Sequence, residues 1–114
     1  MASPRSRAES IDARRREVHE QLANIELELT ALRRTREGLS DDDEHDPDGV
    51  PLSAQWSRLE GLKQMKLEAL AAIHEAETRL ARGEDGRCRV CGRPIASARL
   101  AARPEATTCI DCTP

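Results

Sequence analysis

Between residues 11 and 32 the apolar side chains Ile11, Val18, Leu22, Ile25, Leu29 and Leu32 recur at steps of seven, four, three, four and three, with charged residues filling the gaps. Steps that alternate between three and four lay one stripe along one face of a helix, the seam of a coiled coil. Ser6-Arg7-Ala8-Glu9 has the form of a capping box ahead of that stripe and Gly38 stands just beyond it, so the pattern predicts a helix from about Arg7 to Glu37. A second run from Ala54 to Arg82 carries Trp56, Leu59, Leu62, Leu67, Leu70, Ile73 and Leu80, is interrupted by Lys63 and Lys66, and stops at Gly83. Gly61 within it costs ~1 kcal/mol of helix propensity, which is consistent with a partner helix approaching closely at that point.

Two helices of similar length with one apolar stripe each predict an all-α fold, an antiparallel two-helix coiled-coil hairpin with arms of ~45 Å at 1.5 Å per residue. Pairing of the stripes between two chains is the alternative. The modest closure entropy of the connection favours the hairpin, and with it a monomer when free. The connection spans residues 39–53, more than an antiparallel pair requires. It contains Asp41, Asp42, Asp43, Glu44, Asp46 and Asp48, six acids without a base between residues 41 and 48. A solvated, self-repelling loop is the plain reading of such a run. An EF-hand is a poor fit, because its twelfth position is Gln55 and Pro47 sits within the turn. His45 has no Cys or His neighbour with which to build a second zinc site.

Composition sharpens this picture. With 114 residues, 34% charged and Trp56 as the sole aromatic, the chain cannot build a large core, so helix pairing and metal must supply its order. The net charge of -3 hides segregation: residues 86–114 carry five arginines against two acids. That same segment holds all four cysteines, Cys88-x-x-Cys91 and Cys109-x-x-Cys112, with seventeen residues between the hooks. Two residues between cysteines let both thiolates reach one ion at ~2.3 Å, and Gly92 can take the positive φ that turns N–H groups toward sulfur. The spacing reads as one tetrahedral, structural zinc site, with disulfides or free thiols as the alternatives. A shell of four thiolates leaves no position for a catalytic water. The start lacks an apolar leader and no stretch reaches the length of a membrane span, so a cytoplasmic protein with reduced thiols is expected.

In domain terms, residues 1–85 form the hairpin with its acidic tip loop (39–53), and residues 86–114 a small C-terminal four-cysteine zinc finger. Within the finger, Ile95, Leu100 and Ile110 are expected to form an apolar cluster beneath the metal. Ser97 is placed to cap a short helix and Pro104 to end it. Arg87, Arg89, Arg93, Arg99 and Arg103 remain as exposed surface.

The finger pattern Cys88-x-x-Cys91-Gly92-x-Pro94-Ile95, then Arg99-Leu100, Pro104 and Cys109-x-x-Cys112, preceded by a long hairpin with an acidic tip, resembles the DksA/TraR family of bacterial zinc-finger RNA polymerase-binding transcription factors. The resemblance implies a regulator whose zinc-bearing base holds RNA polymerase while the coiled coil enters the secondary channel and sets acidic tip residues near the catalytic magnesium, modulating initiation. It singles out Asp46 and Asp48 first, from the Asp-Pro-acid form of Asp46-Pro47-Asp48, with Asp43, Glu44, Asp42 and Asp41 as the other candidates. A DNA-binding zinc ribbon and a coiled-coil adaptor are the rival functions. The negative net charge, the acidic tip and the lack of aromatic platforms argue against sequence-specific DNA binding. No nucleophilic arrangement of Ser, His and acid points to an enzyme.

Overall fold

The computed structural model describes residues 4–38 and 51–113, and consists of α1 (Pro4–Glu37), α2 (Leu52–Ala81) and α3 (Ser97–Ala102). An isolated antiparallel bridge joins Arg87 to Pro94, and the described residues contain no strand. The acids Asp41, Asp42, Asp43, Glu44, Asp46 and Asp48, with His45, lie outside the described residues. By internal packing the chain divides into two compact units, one formed by Met1–Val18 with Glu68–Pro114 and the other by His19–Leu67.

In the second of these units Ile25, Leu29 and Leu32 of α1 bury against Leu52 and Leu59 of α2, with Trp56 and Leu62 partly buried beside them. Glu26 pairs with Lys63 at 3.0 Å, and the Arg33 guanidinium lies 5.8 Å from the centre of the Trp56 ring. Partner numbers fall on α2 as they rise on α1, so the helices run antiparallel. The other unit repeats the logic: Ile11 and Val18 bury against Ile73 and Ala76, flanked by Ala69, Leu70 and Leu80. Fully burying an aliphatic side chain contributes about 1.5–3 kcal/mol, which makes these two clusters the main source of helix stability.

Several expectations are corrected by the packing. The first helix begins at Pro4, whose fixed φ suits a first helical position, so Ser6-Arg7-Ala8-Glu9 lies inside the helix and is not its cap. The second begins at Leu52, because the Pro51 carbonyl accepts the N–H groups of Ala54 and Gln55 and the Leu52 side chain joins the core. Leu67 is exposed, and the half-buried Lys66 takes its place in the stripe; Lys63 likewise lies along the seam and presents its ammonium to Glu26. The stop at Gly83 is as expected: Gly83 adopts φ +74°, its N–H reaches the Leu80 carbonyl and that of Glu84 the Arg79 carbonyl, a Schellman motif.

Gly61 makes no close helix contact, since a Cβ built there would meet nothing within 4 Å. Gly61→Ala is therefore expected to stabilise the chain by about 0.5–1 kcal/mol, through propensity and the lost freedom of the unfolded state. A thermal melt that moved downward would show that the open space around this position is needed.

Candidate metal centre and its surroundings

The finger begins where α2 stops. Arg79, in the last turn of α2, donates Nη2 hydrogen bonds to the Glu84 carbonyl at 3.1 Å and the Arg87 carbonyl at 2.7 Å, fixing the chain as it leaves the helix. Gly86 and Gly92, at φ +83° and +76°, close a tight hairpin in which Cys88 N–H donates to the Arg93 carbonyl and Ile95 N–H to the Gly86 carbonyl. A side chain with a Cβ rarely adopts these angles, which explains glycine at both turns. Inside this hairpin the Gly92 N–H reaches the Cys88 carbonyl at 2.9 Å and the Val90 N–H points at Cys88 Sγ at 3.4 Å.

The second hook is held by one arginine. Arg99 on α3 donates from Nε to the Thr108 carbonyl at 2.9 Å and from Nη2 to Thr113 Oγ1 at 2.8 Å, while Thr113 Oγ1 donates to the Cys109 carbonyl. Arg89 N–H joins the two hooks through the Thr107 carbonyl. Arg99 is thus a structural residue and not part of the exposed arginine surface. Its signal in the sequence was position alone, ten residues before Cys109, which did not distinguish it from its neighbours. Ser97 opens α3 but forms no cap; Ala96 occupies the cap position without a side-chain bond. Beneath the hooks Ile95 is buried and Leu100 half-buried, whereas Ile110 is 76% exposed and takes no part in the apolar cluster.

The four sulfurs of Cys88, Cys91, Cys109 and Cys112 lie within 4.8 Å of one another, and Cys91 and Cys109 approach to 3.7 Å. A tetrahedron of Zn–S bonds of ~2.3 Å has edges of ~3.8 Å, so the cluster fits one zinc ion. None of the four is disulfide-bonded. The chemistry of the donor set points the same way. The N–H of Cys91, aided by those of Cys109 and Val90, holds the Cys88 thiol down to about 6, while hydrogen bonds to the sulfurs of Cys109 and Cys88 push Cys112 up to about 12. Four thiolates this close cannot all ionise unless a cation cancels their repulsion.

The finger is anchored to α1 within the same unit. Arg7, only 5% exposed, donates Nε and Nη2 to the Asp85 carboxylate at 2.7 and 3.0 Å and Nη2 to the Pro104 carbonyl at 2.8 Å. Arg14 Nε reaches the buried Glu105 at 3.1 Å, and Arg15 pairs with Glu77 of α2. The hydrophobic seam gave no hint of these pairs, because they join charged residues that are distant in sequence. No described helix is long and apolar enough to cross a membrane.

A family model described as the prokaryotic dksA/traR C4-type zinc finger matches residues 83–113. The match and the sulfur cluster together give the chain one structural zinc. Among solved structures, the chain is similar to that of transcription factor DksA2 from Pseudomonas aeruginosa, at 33% identity and a TM-score of 0.68, over 89% of this chain and 72% of that one. No curated protein matches the chain.

Proposed function

We propose that this chain, which belongs to the DksA/TraR family of transcription factors, binds RNA polymerase and inserts the tip of its coiled coil into the secondary channel to modulate initiation. The observation that carries the reading is the similarity to DksA2 over 89% of the chain, combined with a run of six carboxylates in the sequence between α1 and α2. Carboxylates are hard oxygen ligands suited to Mg²⁺ or to the basic groups around it. A factor of this kind shifts an equilibrium of the polymerase and makes or breaks no bonds, so the protein is not an enzyme. Cys88, Cys91, Cys109 and Cys112 supply the zinc ligands and leave no open coordination position. The ion holds the finger together and takes no part in a reaction. The reduced thiolates that zinc binding requires support a cytoplasmic location.

Asp46 and Asp48 act first at the tip, with Asp43, Glu44, Asp42 and Asp41 around them. Asp46→Asn with Asp48→Asn is expected to abolish the effect on transcription while leaving affinity for core polymerase unchanged. The measurement pairs an initiation assay with a core polymerase pull-down and crosslinking from position 46. Normal regulation by the doubly neutralised variant would reduce the acidic run to a solvated turn, and crosslinks confined to the polymerase exterior would end the channel reading.

A further inference from the structure

Among the described residues of the unit His19–Leu67, Leu27 is the most exposed large hydrophobic side chain, at 68% against 61% for Met65 and 40% for Leu67. Its neighbours Ile25 and Leu29 are both buried against α2, so Leu27, midway between them on α1, faces directly away from the core. The residues that share this outer line of α1 are ordered symmetrically about it. Ala23 and Ala31 stand four residues to either side, and Glu20 and Arg34 seven, or ~10 Å at 1.5 Å per residue. All four are exposed, and the side chains of Glu20 and Arg34 have no hydrogen-bonding or ionic partner among the described residues.

We infer that this outer face of α1 pairs with the same face of a second copy of the chain, the two helices antiparallel about a two-fold axis at Leu27. That operation reverses the direction of the helix, so it sets Glu20 opposite Arg34 of the second copy and Arg34 opposite its Glu20. Leu27 meets Leu27, and the small side chains of Ala23 and Ala31 let the backbones close around the leucines. Self-complementarity of size and charge about one residue is what a two-fold contact requires, and a parallel pairing would instead set like charges together. The line from residue 20 to residue 34 is ~21 Å long, too short to bury the roughly 1,200–2,000 Å² of a stable complex. The chain is therefore a monomer at low micromolar concentration and pairs with a dissociation constant of ~0.1 mM. This face is distinct from the apolar stripes, which are consumed between α1 and α2.

The test is sedimentation equilibrium of the full zinc-loaded chain from about 10 µM to about 1 mM, with circular dichroism confirming that each variant is folded. The wild type is expected to pass from monomer toward dimer over this range. Glu20→Arg and Arg34→Glu should each weaken pairing about tenfold at low salt and by less at high salt, because each sets like charges together twice. Mixed in equal amounts, the two single variants should pair with each other about as well as the wild type does, since every charge then meets its opposite. Leu27→Gln should weaken pairing about tenfold with little salt dependence. A wild-type mass that stays monomeric up to 1 mM would overturn the inference. So would a dimer that none of the three substitutions touches, which would assign pairing to the apolar stripes or another face. Single variants that fail alone and also fail when mixed would overturn the antiparallel register. No measurement involves polymerase, so a negative result leaves the polymerase-binding reading standing.

Discussion

Chelating the zinc from the purified chain unfolds the finger and leaves the long helices paired. The finger segment contributes only Cys88, Ile95 and Ala106 as buried nonpolar residues, too little apolar area to offset the ordering of some thirty residues. Metal binding must supply the difference, and apparent zinc affinities of about 10–16 kcal/mol are ample for a domain of this size. The two helix clusters, Ile25 to Leu59 and Ile11 to Ala76, contain no cysteine and owe the metal nothing directly. Limited trypsin digestion reads the outcome: after chelation, cleavage appears after Arg87, Arg89 and Arg99, while α1 and α2 stay resistant and most of the helical circular dichroism remains. An unchanged digest and melt would show that the finger holds itself together by packing alone.

The same site fixes the sign of the pH dependence. Cys88, held at about 6, is already a thiolate at neutral pH, whereas Cys112, pushed up to about 12, must give up its proton when zinc binds. Zinc uptake at pH 7 therefore releases protons, and affinity falls on acidification by roughly tenfold per pH unit for each proton displaced. Below about pH 6 Cys88 also competes for a proton and the fall steepens. Proton release measured in weakly buffered solution during zinc titration checks both points.

Arg7→Ala is expected to destabilise the finger-bearing unit by about 3–5 kcal/mol. Both members of the pair are largely buried, so truncation strands the Asp85 carboxylate and the Pro104 carbonyl without a donor. A loss of that size is a large fraction of the roughly 5–15 kcal/mol that holds a domain folded. Replacing both partners with apolar residues, Arg7→Met with Asp85→Leu, should recover much of the loss, because no buried charge is then left unpaired. Chemical denaturation of the three proteins gives the comparison. If the single variant were as stable as the parent, the pair would be an ornament of the surface. If the double variant were the weakest, the geometry of the pair itself would matter beyond its charge balance.

Much of this architecture is legible in residue order. Ile11, Val18, Ile25, Leu29 and Leu32 obey a heptad spacing that only a helix seam satisfies, and every one of them is buried. The paired Cys-x-x-Cys hooks specify a tetrahedral four-sulfur site because chain geometry allows two thiolates at that spacing to meet one ion. Gly83 and Gly92 announce their turns because left-handed backbone is strained for other residues. These features are local, governed by neighbours within a few positions, and local rules are written directly into residue order.

What residue order did not disclose depends on which distant groups come to face one another. Residue order suggests a helix contact at Gly61, although a Cβ there would meet nothing within 4 Å. Spacing puts Leu67 in the seam, although helical phase turns it outward and brings Lys66 inward. In residue order Arg99 is indistinguishable from the four surface arginines, yet it bonds the Thr108 carbonyl and Thr113 Oγ1. Local pattern makes Arg7 a helix-cap neighbour, whereas folding pairs it with Asp85, seventy-eight positions away. The sequence by itself thus determined the helices, the metal and their order along the chain, because periodicity and chelate spacing act over short distances. Only the tertiary structure decided which charges were buried together and which aliphatic side chains were left on the outside of the finger, because desolvation and ion pairing depend on distances that folding alone creates.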